Sequence, residues 1–141
     1  MTFDVANHQL VLESDDSLTQ RIAAGTPMEI RLSRPGPGVA LDVFVAARSP
    51  ASHEKIWLIL DTGNDASLIL APHAAKALGA KCADEKSCDA LALEVPGLGT
   101  QIVPVRVREL IYDGNLGVGS LGDFAITFDC AQGRVWAARK K

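Results

Sequence analysis

The sequence predicts a single, mainly β domain with one or two short helices. Apolar and alternating runs recur along the chain, and Gly- and Pro-rich turns separate them. Helical signals are confined to short stretches. At 141 residues, 48% hydrophobic and 22% charged, the chain is one domain by size and apolar enough to bury a core.

Taken in order, Leu10 to Leu12, Met28 to Leu32 and Val39 to Val45 read as strands. Pro35-Gly36-Pro37-Gly38 forces a turn between the last two, so they form a hairpin. Arg48 to Lys55 is polar and turn-rich, a connection into the apolar strand Ile56 to Leu60. Strand character returns soon after Gly63 and runs to Leu70. Pro72 to Leu78 is the clearest helix, with Pro in its first turn and Gly79 placed as a C-terminal cap. From Leu91 to Leu110 the chain is again β-rich, broken at Val95 to Gly99. A helical turn is expected over Ser120 to Asp123, before a strand from Phe124 to Phe128. The Ala131-Gln132-Gly133 turn then leads into a last strand, Arg134 to Ala137.

A net charge of −3 provides no basic surface for nucleic acid, and Arg139-Lys140-Lys141 reads as a solvated end. No apolar run is long enough for a membrane span, and the N-terminus lacks the regions of a signal peptide. Compartment stays open, because export is compatible with a chain excised from a longer one. His8, His53 and His73 show no metal-ligand spacing, and no metal or cofactor is expected. A nucleophilic serine elbow is absent, and the glycines from Gly114 to Gly122 lack the Lys or the strand-linked spacing of a phosphate loop.

Asp61-Thr62-Gly63 carries the functional signal. An apolar strand delivers a carboxylate into a tight Gly turn, and strand character then resumes. Far downstream, Asp113-Gly114-Asn115-Leu116-Gly117 is followed by the short helical turn and a strand ending in Phe128-Asp129. With both elements in this order, the chain from about Val39 to Ala138 resembles the pepsin-like and retropepsin-like aspartic peptidases. Each lobe of that family carries Asp-Thr-Gly early and an apolar-apolar-Gly element late. The resemblance implies a single acid-protease lobe, a closed barrel-like β structure. Gly117 matches the late glycine, which permits close backbone approach to the Asp loop, and Leu116 the apolar residue before it. Asn115 departs from the pattern, placing a polar group at the crossing that needs a partner.

The chemistry implied is hydrolysis of polypeptide substrates by two carboxylates about 3 Å apart that share one proton and titrate as a unit. The ionised member takes a proton from a water held between them, and the other protonates the scissile carbonyl oxygen. Asp61 is the catalytic carboxylate carried over. Thr62 would bond across to the equivalent loop of a second half, and Gly63 would offer its N–H to the carboxylate. Asn64 replaces the usual Ser, Thr or Ala, and its amide is expected to donate to Asp61 instead. The partner carboxylate must come from an identical subunit or from another lobe of the same polypeptide, because Asp65 and Asp113 are poorly placed.

Two further features bear on which. Thr2 to Leu12 echoes Thr127 to Ala137 in the same register, so residues 1–25 are expected to be an N-terminal strand region of the kind that ends a preceding lobe, with residues 26–141 as the lobe proper. The stretch Ala80 to Asp89, where an active lobe begins its flap, is short, charged and free of glycine. In two-lobed pepsins only the first lobe has a working flap, so both features point to a second lobe. Cys82 and Cys88 are spaced for a disulfide, while Cys130 stands alone beside a turn. The alternative to a peptidase half is a noncatalytic pepsin-like domain that binds peptides or supports an assembly.

Overall fold

The structure is a computed structural model that describes every residue except Pro35, Pro37, Gly38, Val39, His53, Glu85, Lys86, Ser87 and Lys141. Over the described residues it is mainly β, with one sheet nearly closed into a barrel and three short helices. In chain order the elements are β1 (Thr2–Asp4), β2 (Gln9–Val11), α1 (Asp15–Ala24), β3 (Thr26–Pro27), β4 (Ile30–Ser33), β5 (Asp42–Arg48), β6 (Lys55–Asp61) and β7 (Leu68–Leu70). They continue with α2 (Pro72–Ala77), β8 (Leu91–Val95), β9 (Gly99–Val103), β10 (Val105–Val107), β11 (Gly114–Gly117), α3 (Val118–Leu121), β12 (Phe124–Asp129) and β13 (Arg134–Arg139).

The barrel-like sheet runs β10-β7-β11-β6-β5-β8-β9, with β4 also paired to β5. Its apolar residues face inward as a strand period of two requires. Leu58, Leu68, Leu70, Leu93 and Leu116 are fully buried and, with Leu78 of the segment after α2 and Leu121 of α3, make one core. The expected hairpin exists as β4 and β5, pairing Ile30 with Val45 and Ser33 with Asp42. Most of its Pro-Gly turn lies outside the described residues. Helix α2 ends as expected. Gly79 has φ +73°, its N–H donates to the Lys76 carbonyl, and the Ala80 N–H reaches back to Ala75, so orphan carbonyls are satisfied.

The second sheet, β2-β1-β12-β13-β3, contains a symmetry that the sequence echo announced. Thr2 pairs with Thr127, 125 residues apart, and their hydroxyls lie 3.0 Å from each other. Phe3 pairs with Ile126, and Met1 exchanges two backbone hydrogen bonds with Phe128. Shifting the first hairpin by that same interval maps the pairing onto itself, so a local two-fold axis passes between the two threonines. The turns agree as well. Asp4 accepts from the Asn7 N–H and Asp129 from the Gln132 N–H, and the left-handed positions are His8 (φ 53°) and Gly133 (φ 61°).

The first hairpin is tied to the residue just past the last strand, Lys140, whose Nζ lies 2.9 Å from the Asp4 carboxylate. Burial alone would raise the Asp4 carboxyl, but hydrogen bonds from Lys140 and Asn7 and the Lys140 charge outweigh it and hold it below the usual value. A carboxyl lowered in the folded state stabilises fully above its unfolded pKa and loses that contribution only as pH falls through the folded one. The tie therefore persists through mild acid.

Two features differ from the sequence reading. Helix α1 adds a third helix. Ser14 caps it by accepting from the Ser17 N–H, and Asp15 and Asp16 sit in its first turn, where the helix dipole favours them. It packs against β12 and β13 and buries no residue completely; of its half-buried residues Ser17, Leu18, Arg21 and Ile22, only Leu18 and Ile22 are apolar. So sparse a face yields no clear helical period. The helix after β11 spans Val118–Leu121, beginning two residues earlier than Ser120.

Cys82 and Cys88 are joined by a disulfide and also form an antiparallel bridge. Replacing both by Ser is expected to lower unfolding stability by about 2 kcal/mol through loss of the loop constraint. A urea midpoint that stays at the wild-type value would show that the backbone bridge holds the turn without the sulfurs.

Candidate active site

Strand β6 carries Asp61 at its C-terminal end, and β11 runs parallel beside it with Gly117 opposite Asp61. On its other edge β11 pairs antiparallel with β7, so the late element is wedged between the two strands that flank the Asp loop. Close approach explains the glycine. A Cβ at Gly117 would lie 2.0 Å from the Ala66 carbonyl oxygen and 2.6 Å from that of Asn64, although its φ of −94° suits any residue. Three hydrogen bonds lock the crossing: Gly117 N–H to Ser67 O at 3.0 Å, Val118 N–H to Asn64 O at 3.0 Å, and Ser120 Oγ to Ser67 O at 2.9 Å.

Both oxygens of Asp61 are engaged. Oδ1 accepts the Gly63 N–H at 3.0 Å, and Oδ2 accepts the Asn115 side-chain amide at 2.7 Å. The second contact corrects the expectation for Asn64. The Asn64 side chain turns back on its own loop, its Oδ1 accepting the Ala66 N–H at 3.0 Å, while its Nδ2 is buried without a partner among the described residues. An Asn two residues before a free N–H closes an Asx turn, and that local bond wins over a reach to Asp61. The donor is Asn115 instead. Its polar character at the crossing was legible, but its partner was not, since the pair is separated by 54 residues.

Thr62 is exposed and lines a cavity of about 290 Å³ between the two sheets. Phe3, Leu60, Ile126 and Phe128 supply much of its apolar wall, and Phe3 and Phe128, equivalent under the local two-fold, meet edge to face at 5.5 Å. Leu116 is fully buried, a core residue of β11.

The other carboxylates near the motif do not join Asp61. Asp65 is exposed. Asp113 accepts the Trp57 N–H at 2.8 Å on one oxygen and faces His73 Nε2 at 3.0 Å on the other. Trp57 precedes Asp61 by four strand residues, roughly 13 Å along β6. The pairing of His73 with Asp113 is absent from the sequence reading, which set His73 aside.

The region after α2 contains no raised, Gly-rich hairpin among the described residues. A disulfide joins Cys82 to Cys88, with Glu85, Lys86 and Ser87 of that stretch outside the described residues, and the hairpin that follows, β8–β9, folds its tip down. Leu98 is buried, and Gly97, at φ +93°, is so close to Met28 that a Cβ there would lie 2.7 Å from its side chain. No helix among the described residues is long and apolar enough to cross a membrane. Comparison with family models, with curated proteins and with solved structures finds no match for this chain.

Proposed function

We propose that this chain is one lobe of an aspartic endopeptidase, acting on polypeptides when its Asp61 is paired with a second carboxylate. The observation that carries this reading is the state of Asp61: a carboxylate at the end of a core strand, held at both oxygens, in a loop locked by a crossing glycine strand. Such a fixed, accessible carboxylate can orient a water and take its proton while the partner protonates the scissile carbonyl. Splitting the roles needs two carboxyls close enough to share a proton, and neither Asp65 nor Asp113 can supply the second. The partner therefore lies in another lobe or subunit.

The local two-fold between the terminal hairpins supports the two-lobe form, with residues 2 to 12 as the closing hairpin of a preceding lobe and 26 to 141 as the lobe bearing Asp61. Under that axis the β13–β3 pairing has no counterpart on β2, whose outer edge is unpaired among the described strands, with Leu10 and Leu12 exposed beside it. One observation favours the noncatalytic alternative: the folded-down β8–β9 tip leaves this lobe without a cover for substrate.

The test assays the 141-residue chain and the complete product of its gene side by side on an unfolded protein at several acidic pH values. The gene product is expected to cleave, a statine-type transition-state mimic to block it, and the chain alone to cleave poorly. Cleavage by the chain alone that rises with its concentration would replace the two-lobe form by a homodimer. Folded proteins that cleave nothing would leave the noncatalytic reading.

A further inference from the structure

Asn115 stands where the apolar-apolar-Gly pattern has an apolar side chain, and it is the residue whose side chain touches Asp61 at Oδ2. Its other end, Oδ1, is buried with no hydrogen-bond partner among the described residues. The backbone of β11 is fixed on both edges, by β6 and by β7, so the side chain stays beside the carboxyl whatever the state of Asp61. A carboxylate only accepts, whereas a protonated carboxyl also donates, and a primary amide carries one donor end and one acceptor end.

We infer that Asn115 is a positioning residue that serves both protonation states of Asp61, donating Nδ2–H to the ionised carboxylate and, turned end for end, accepting the O–H of the acid. No hydrogen bond among the described residues holds the other end of the amide in place. Either orientation leaves one end of the amide without a partner, so the hydrogen on Asp61 decides which end faces it. An apolar side chain could do neither, and a fixed donor such as a backbone N–H would oppose a proton arriving on the oxygen it serves.

This inference rests on the peptidase reading for its use in turnover. There, a water O–H bond breaks as its oxygen bonds to the scissile carbonyl carbon, the C=O π pair moves to the carbonyl oxygen, which takes the proton of the partner carboxyl, and the water's proton passes to Asp61. Once the amide has turned, the protonated Oδ2 is again hydrogen-bonded, now as a donor to the Asn115 Oδ1.

The hydrogen-bonded pair is testable without any activity. In the 141-residue chain labelled with ¹⁵N and ¹³C, the Asn115 side-chain amide signals are expected to change through the same pH transition as the Asp61 carboxyl carbon, and to lose that dependence in Asp61→Asn. Amide signals that stay constant while Asp61 titrates would overturn the proposal. In the assembled peptidase, Asn115→Leu, which restores the apolar residue of the pattern, is expected to lower kcat by roughly tenfold to hundredfold with KM nearly unchanged. A melting temperature close to wild type identifies the folded variant for that comparison, and an unchanged kcat sinks the role in turnover. If wild type cleaves nothing, the peptidase reading fails, and the two spectra still decide whether Asn115 follows the protonation of Asp61.

Discussion

Asp61→Asn is expected to abolish the proposed peptidase activity while leaving the fold intact. The amide fills the volume of the carboxyl and keeps an oxygen for the Gly63 N–H. Its new NH₂ then faces Asn115, where the present orientation would set donor against donor, and a turned Asn115 amide meets it with Oδ1 instead. Stability should therefore stay within about 1 kcal/mol of wild type. Turnover should not survive, because an amide cannot take a proton from water. The loss of one general base alone accounts for about 100- to 10,000-fold, and in the proposed mechanism the residue also holds the water. Turnover on an unfolded protein at acidic pH and a thermal melt decide the matter together. Turnover near wild type would remove Asp61 from the mechanism, and a lost melt would make it a folding residue.

Sequence reading reached those parts of this molecule that are local. The strand Ile56 to Leu60, the Gly79 cap of the second helix and the helical turn after Gly117 each follow from chemistry within a few neighbouring residues. The echo of Thr2 to Leu12 in Thr127 to Ala137 was also visible, since a hairpin with an Asp at one turn position and a left-handed residue four further on leaves a recurring pattern. Beyond the approach of Gly117 to the Asp61 loop, which the resemblance implied, what pairs with what across long separations was not visible. Asn115 could be flagged as a polar residue needing a partner, but only the register of β11 against β6 brings it to Asp61. Asn64 shows the opposite case, in which a short-range bond to Ala66 overrides a longer-range expectation. Helix α1 was missed because its capping signal at Ser14 is followed by too few apolar residues to make a period. The folded-down tip at Gly97 depends on Met28, which lies far from it in sequence.

Gly117→Ala is expected to cost about 3 kcal/mol or more, and so to unfold much of the protein at moderate temperature. The reason is space alone, since the backbone there lies at φ −94° and ψ 178°, where alanine is at ease. The added methyl would meet two carbonyl oxygens, of Ala66 and Asn64, at 2.0 and 2.6 Å, and both belong to backbone held by other bonds. Relief would require β11 to move off β6 and β7, breaking the Gly117 N–H to Ser67 contact and withdrawing Asn115 from Asp61. Gly122 provides the control, because a Cβ there meets nothing nearer than the Val118 carbonyl at 3.5 Å and its φ of −55° is helical. Gly122→Ala should therefore be neutral or slightly stabilising by restricting the unfolded chain. Urea denaturation of the two variants separates the explanations. Equal midpoints for both would mean that the crossing at Gly117 is looser than its contacts imply, and that the loop bearing Asp61 is not locked by it.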